Sequence, residues 1–300
     1  MFKSKRIGVV VPAYNEEKLI GDTIKSVPSY VDKVYVIDDC STDNTMIKIL
    51  EHSQEDDRVV VLKHKQNKGV GGAITTGFKK SIEDAMEIVT VMAGDNQMDP
   101  KYLPELLKPI LSEGVEFTKG NRLKPGYWKG MSAFRLIGNS ILSFLTKIVT
   151  GYWRIKDPQN GYIAITTDAL KKIDLDSLYK GYAFENDLMV KANVVNLKME
   201  NVLVPAVYRE EKSKIRYPSF IIKTSWFLFR SFFWRFWKKY IRNIHPIGFL
   251  LIFGSLLLLC GIVAGIVTSI WYYWLILAIG GVLLLIGFLT DGLLTSFSKN

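Results

Sequence analysis

From Ile247 to Leu289 the chain carries no charged residue. A bilayer core needs about 20 apolar residues per helical crossing. Ile247–Val267 and Tyr272–Thr290 meet that length, so the tail is expected to form a two-helix transmembrane hairpin. The link from Thr268 to Trp274 is polar and then aromatic, which suits the headgroup layer. Gly254, Gly261, Ala264 and Gly265 either pack the two spans together or mediate oligomerisation into a homo-oligomer. Lys238, Lys239 and Arg242 precede the first span and Lys299 follows the second. By the positive-inside rule both flanks then face the cytoplasm. The apolar run Ile7–Val11 behind the basic N-terminus is too short for a signal peptide, which agrees. The expected division is a soluble cytoplasmic domain over 1–215, an interfacial amphipathic segment over 216–244 and the hairpin over 245–300. Only Cys40 and Cys260 are present, so no disulfide framework exists and a reducing compartment fits.

Ahead of the hairpin the pattern changes. Ile7–Val11, Val34–Ile37, Val59–Leu62 and Ile88–Val91 are continuous β-branched or aliphatic runs, as expected of strands buried on both faces. Helical stretches at Glu17–Ser26, Asn44–His52 and Gly72–Ile82 separate them. Such alternation predicts an α/β domain with a mostly parallel sheet flanked by helices. Ligands in such sheets sit beyond the carboxyl ends of the strands.

The chemistry-bearing residues fall at those ends. Strand one is followed by Pro12-Ala13-Tyr14-Asn15-Glu16-Glu17. Strand two is followed by Asp38-Asp39, two adjacent carboxylates suited to base or ribose recognition or to a metal. Asp43 or Asn44 then serves as a helix cap. Lys68-Gly69-Val70-Gly71-Gly72 opens the next helix and is either a phosphate cradle or a tight turn. Strand four is followed by Ala93-Gly94-Asp95-Asn96-Gln97. Asp95 and Gln97 offer oxygen ligands two residues apart, which suits a hard divalent cation.

These four segments, in this order and spacing, resemble the family 2 nucleotide-diphospho-sugar glycosyltransferases of GT-A fold. With the hairpin added, the chain looks like the polyprenyl-phosphate glycosyltransferases, the dolichol-phosphate mannose synthase group. The resemblance implies that Pro12, Ala13, Tyr14, Glu16, Asp38 and Asp39 line the nucleotide-sugar pocket with Lys68 and Gly69. It implies that Asp95 and Gln97 hold Mg²⁺ or Mn²⁺ on the diphosphate. Family members usually carry an acid two positions before Asp95; here it is Ala93, a departure. Further matches are Gly120-Asn121-Arg122 after a strand at Glu116–Lys119, and Arg135 in the helical stretch Met131–Val149. In the family, arginines at these two points hold the acceptor lipid phosphate, with Ser213 assigned alongside them. Asp157-Pro158-Gln159-Asn160-Gly161-Tyr162 and Phe184-Glu185-Asn186-Asp187 resemble segments near the reaction centre, although Asp157 also suits a plain turn. Arg209, Lys212 and Lys214 resemble the basic loop that closes over the diphosphate.

The implied reaction is inverting, metal-dependent transfer from a GDP- or UDP-sugar to a polyprenyl or dolichyl phosphate. A phosphate monoester is mostly dianionic at neutral pH and needs little or no general base. A lipid or glycan hydroxyl, the alternative acceptor, would need one, with Glu185 or Asp187 as candidates. A non-catalytic nucleotide-sugar binder is a third reading, resting on Ala93 alone. Ser219–Asn243 interleaves Trp226, Phe227, Phe229, Phe232, Phe233, Trp234, Phe236 and Trp237 with Lys223, Arg230, Arg235, Lys238, Lys239 and Arg242, as an interfacial amphipathic helix does. The net charge of +10 is then assigned to the membrane surface and to phosphates, since no nucleic-acid-binding signature is present.

Overall fold

Aliphatic runs build the centre of a seven-stranded sheet in the computed structural model, which describes residues 4–123, 133–205, 217–267 and 272–297. The strands are β1 (Ile7–Ala13), β2 (Lys33–Asp38), β3 (Val59–Lys63), β4 (Ile88–Val91), β5 (Phe117–Asn121), β6 (Ile163–Thr166) and β7 (Met199–Leu203). Their order is β3-β2-β1-β4-β6-β5-β7. The first four are mutually parallel, as the strand–helix alternation predicts. β6 runs antiparallel to both β4 and β5, and β7 pairs parallel with β5.

The helices of the domain are α1 (Ile20–Ser26), α2 (Thr45–Glu55), α3 (Val70–Glu83), α4 (Leu103–Ser112), α5 (Ala133–Thr150), α6 (Thr167–Lys171) and α7 (Phe184–Val194). They cover both faces of the sheet. One core joins Val10, Ile37, Phe78, Val91, Phe117, Phe184 and Leu188. The other joins Val9, Val11, Ile24, Val36, Ile49 and Leu106. Successive residues of β1 thus feed opposite cores, which is why its sequence is apolar without alternation.

Helix α8 (Tyr217–Phe236) continues through a π-helical turn, Trp237–Ile241, into α9 (Pro246–Val267), and α10 (Tyr273–Phe297) returns. α9 and the Tyr273–Leu294 part of α10 are each long and apolar enough to cross a membrane, with mean hydropathy 2.8 and 2.3. Gly254 and Gly280 face each other so closely that a Cβ on Gly280 would lie 2.9 Å from the Gly254 carbonyl. Gly261 meets Leu277 in the same way. These glycines therefore pack the two apolar helices together.

The amphipathic expectation for α8 needs correction at two cations. Trp226, Phe229, Phe233 and Trp237 are exposed, as an interfacial helix requires. Arg235, counted among the headgroup cations, is instead fully buried against Asp291 of α10. Its Nη1 and Nη2 donate to Asp291 Oδ1 and Oδ2 at 2.9 and 2.8 Å. Lys239 also turns inward, donating to Asn193 Oδ1 at 2.8 Å. Phe232 stacks on Phe288 and Phe236 meets the same ring edge-on, rather than facing lipid. On its other side α8 packs Leu228 against Val149 and Val190. The helix is a wedge between the α/β domain and the hairpin.

Candidate active site

The carboxyl ends of β1, β2 and β4 lie side by side, so their loops meet. Ala13 pairs with Asp38 in the ladder, and the Asp39 amide donates to the Ala13 carbonyl at 2.9 Å. The Gly94 amide donates to the Pro12 carbonyl at 3.2 Å, which brings the Asp95 loop to the same edge. The Tyr14–Glu17 turn is zipped to the Ser41–Thr45 turn. Asn15 N–H donates to Ser41 Oγ, Glu16 N–H to Thr45 Oγ1 and Thr42 N–H to Asn15 Oδ1. Asp43 accepts from Thr45 and Glu17, so it ties this zipper together as well as opening α2. Tyr14 stands exposed above it.

Asp38 is the most informative residue of this edge. It is fully buried. Its Oδ1 accepts from the Ser41 amide at 3.1 Å, and its Oδ2 has no partner among the described residues. A buried carboxylate oxygen without a donor is costly. An N–H from a nucleobase would satisfy it. Asp39 is already engaged: Oδ1 lies 2.6 Å from His64 Nδ1 and accepts from the Lys68 amide at 2.8 Å. His64 Nε2 reaches Thr76 Oγ1 at 2.9 Å. Asp39 thus braces the pocket from behind. His64 follows β3 directly, and its position at a strand end was the available signal.

The glycine-rich loop spends three of its amides inside the protein. The Lys68 amide goes to Asp39, the Gly69 amide to Asn67 Oδ1 and the Gly71 amide to the Lys180 carbonyl. Gly69 sits at φ +78°, where a Cβ would lie 2.4 Å from the Lys180 oxygen. Glycine is needed for that turn and that close approach. The Lys68 side chain remains exposed at the rim.

Asp95 Oδ1 accepts from the Gln97 amide at 3.1 Å, which fixes the loop after β4. Among the described residues no group of three acidic, histidine or cysteine side chains gathers as a metal site. The donor set is one carboxylate and one amide carbonyl, both hard oxygens. Mg²⁺ is commonly held by one or two carboxylates together with substrate phosphates, so Asp95 and Gln97 fit a metal shared with a diphosphate. Asp99 is a cap for the next turn, accepting from the Lys101 amide, and pairs with Lys101 Nζ.

A second group assembles around β5. Asp157 is fully buried and takes Arg122 bidentately, Nε to Oδ2 at 2.8 Å and Nη2 to Oδ1 at 3.1 Å. It is a clamp for the arginine rather than a plain turn residue. Gln159 Nε2 reaches Asn186 Oδ1 at 3.0 Å and Thr146 of α5 at 3.3 Å. A Cβ on Gly161 would meet Glu185 Oε1 at 3.4 Å and Met98 Cε at 3.2 Å, so Glu185 closes on the Asp95 loop. Burial pushes the Glu185 carboxyl up, and Lys119 and Arg122 pull it partly back. Lys119, which sequence reasoning missed, is buried with Nζ on the Asn160 carbonyl at 2.5 Å. Burial lowers its pKa to about 8 despite Glu185 and Asp157.

Asp187 has a different occupation. Its Oδ2 accepts from the Tyr179 amide at 2.8 Å and from Lys191 Nζ at 2.7 Å. It holds the Tyr179–Tyr182 loop, whose Tyr179 ring lies 4.9 Å from Phe227 of α8. The side chain of Arg135, and all of Arg209, Lys212, Ser213 and Lys214, lie outside the described residues.

The model of glycosyl transferase family 2 matches residues 8–174. A UDP-N-acetylglucosamine–dolichyl-phosphate N-acetylglucosaminyltransferase of Methanococcus voltae is 32% identical over 220 residues, covering 69% of this chain and 87% of that one. An undecaprenyl-phosphate mannosyltransferase of Micrococcus luteus is 29% identical, covering 68% and 85%. Among solved structures, glucosyl-3-phosphoglycerate synthase of Mycobacterium tuberculosis, solved with Mn²⁺, UDP and its product, superposes with a TM-score of 0.56. It is 20% identical and covers 77% of this chain and 80% of its own, a likeness of fold. The chain is a glycosyltransferase enzyme and belongs to glycosyltransferase family 2.

Proposed function

We propose that the enzyme transfers a sugar from a nucleotide-diphospho-sugar to a polyprenyl or dolichyl phosphate at the cytoplasmic face of a membrane. The observation that carries this reading is the double duty of Asp157–Asn160. Through Asp157 that segment aims Arg122, and through Gln159 it holds α5, whose Ile141 and Phe144 are exposed. A phosphate-binding arginine is thereby fixed to a helix with an apolar outer face, as an acceptor with a charged head and a lipid tail requires.

The donor would bind across β1, β2 and β4. Asp38 Oδ2 accepts from the base, and Asp95 with Gln97 supplies the oxygens for a divalent cation. When bound, that cation stabilises charge on the departing diphosphate. Arg122, held planar by Asp157, orients the acceptor phosphate for attack on the far side of the anomeric carbon, which inverts the configuration. The acceptor dianion needs no proton removed. Asp187 is spent on Lys191 and Tyr179, so its part is to hold the loop that packs on α3. Glu185, with a raised pKa beside the proposed reaction centre, carries the second reading, a hydroxyl acceptor with Glu185 as base.

The test uses the full chain in liposomes with Mg²⁺ or Mn²⁺ and radiolabelled UDP- and GDP-sugars, UDP-N-acetylglucosamine first. Label should pass from one donor to polyprenyl phosphate, and both EDTA and Asp95→Ala should abolish the transfer. Transfer to lipid hydroxyls alone, lost in Glu185→Gln, would replace the phosphate reading. Transfer unaffected by EDTA would refute the metal assignment.

A further inference from the structure

A cavity of about 290 Å³ lies away from the catalytic edge, between the end of α7, the turn joining α8 to α9, and the end of α10. Asn193, Asn196, Lys239, Asn243, His245 and Leu294 line it. Pro246 begins one apolar helix and Leu294 ends the apolar part of the other. The cavity therefore opens where both spans leave the apolar slab, on the side of the α/β domain. Glu185 and Asn193 occupy opposite ends of α7, about 12 Å apart at 1.5 Å per residue.

Its charge is unbalanced. Lys239 has no ion-pair partner among the described residues, and donates to Asn193 Oδ1. The nearest acid, Asp291, is spent on Arg235 and Tyr240. Burial lowers the Lys239 pKa to about 8, and the pull of Asp291 only partly offsets it. His245 Nδ1 accepts from the Ile247 amide at 3.2 Å, so the neutral ring carries its proton on Nε2 as a donor. Asparagine amides supply further donors, and Leu294 supplies an apolar wall. The volume is too small for a nucleotide-sugar and suits a phosphate with its glycerol.

We propose that this cavity is a binding site for the headgroup of an anionic glycerophospholipid, separate from the substrate sites. The lipid phosphate would neutralise Lys239 and accept from His245 and the asparagines, with its acyl chains along α10. Basic pockets at the membrane boundary bind anionic headgroups on these terms. Occupancy would stabilise the junction between the α/β domain and the hairpin. The inference rests on the membrane reading of α9 and α10 but not on the donor or acceptor.

The test is thermal unfolding and native mass spectrometry of the full chain in neutral detergent, titrated with phosphatidylglycerol, phosphatidylcholine, glycerol 3-phosphate or inorganic phosphate. Phosphatidylglycerol should bind and stabilise, and phosphatidylcholine should not. Lys239→Gln should weaken binding at least tenfold and Lys239→Arg should restore it. Asn196→Asp puts an acid into the cavity at a position with φ +55°, which aspartate tolerates; it should abolish binding without touching Lys239. Lys223→Gln and Arg242→Gln, at exposed cations, should change binding less than twofold. An equal loss in these two would overturn the site in favour of diffuse surface attraction. Equal protection by inorganic phosphate would overturn the lipid assignment. Failure of the chain to enter phosphatidylcholine liposomes would defeat the membrane reading itself, a result distinct from loss of headgroup preference.

Discussion

Replacing Asp291 by alanine strands the guanidinium of Arg235 inside the protein. Arg235 is wholly buried and Asp291 is 3% exposed. The two share a parallel pair of bonds at 2.8 and 2.9 Å, and Asp291 also accepts from the Tyr240 hydroxyl. Removing one partner of such a pair costs about 3–5 kcal/mol, because the remaining charge stays buried. An exposed pair such as Lys5–Glu87 contributes at most about 1 kcal/mol. At roughly 2–4 °C per kcal/mol for a chain of this size, Asp291→Ala should melt about 10 °C below the parent. The assay is fluorescence-detected thermal unfolding in detergent. Removing both charges, as Arg235→Met with Asp291→Leu, should recover most of the loss, since apolar replacements of buried pairs are often neutral. If Asp291→Ala melts within about 2 °C of the parent, Asp291 does not hold α10 to the domain and the argument fails.

Two further outcomes follow from the site. Asp38→Asn removes the charge that awaits a base N–H, so UDP or GDP should bind about tenfold to a hundredfold more weakly by calorimetry; an unchanged affinity would refute the base-binding role. Lys119 titrates near 8 in the folded protein against 10.5 ordinarily, so between those values the unfolded chain binds more protons and stability rises with pH. Glu185 has the opposite sign: its pKa is raised above 4.5, so its contribution is present below 4.5 and lost as pH rises through the raised value. Lys119→Met should flatten the alkaline rise in denaturant titrations between pH 8 and 10.5, and an unchanged slope would refute the assignment.

The strands of the nucleotide half were legible because each is a continuous run dominated by β-branched and aliphatic residues. Ile88–Val91 matches β4 at both ends, and β1 extends only two residues past the predicted Val11. β6 is a short apolar run, Ile-Ala-Ile-Thr, outside the strand–helix alternation that singled out the first four, and β7 left no such mark. β7 is Met-Glu-Asn-Val-Leu, partly exposed at the sheet edge, and pairing with β5 rather than its own pattern makes it a strand. Glycine spacing could not distinguish a phosphate cradle from a tight turn, because the group that claims the Gly71 amide is Lys180, far along the chain. The interleaving of aromatics and cations put Arg235 among the headgroup cations because it reports neighbours on one helix only. The decisive signal was Asp291, the sole acid after Glu211 in a strongly cationic, apolar tail. A lone acid there needs a partner, and the buried arginine is that partner.

The placement of that pair bears on catalysis through α7. The helix presents Glu185 at its first turn, against Gly161 and the Asp95 loop. At its last turn Asn193 Oδ1 accepts from both Arg235 and Lys239. One short helix thus joins Glu185 to the root of the hairpin. The proposed acceptor phosphate is confined to headgroup depth, so an enzyme acting on it must hold Arg122 and the donor at one height above the bilayer. A flexible tether to α9 would let that height vary, and each added degree of freedom would dilute the reactive geometry. A buried, bidentate ion pair has two bonds of fixed direction and tolerates little rotation. Apolar packing of Phe232 and Phe236 on Phe288 would hold α8 near α10 without fixing its angle. The charge pair therefore supplies orientation where the hydrophobic contact supplies adhesion. On this argument the apolar double replacement, though stable, should transfer sugar to membrane-bound acceptor more slowly while binding nucleotide normally. Equal transfer rates in the parent and the double replacement would leave the pair with stability as its only role.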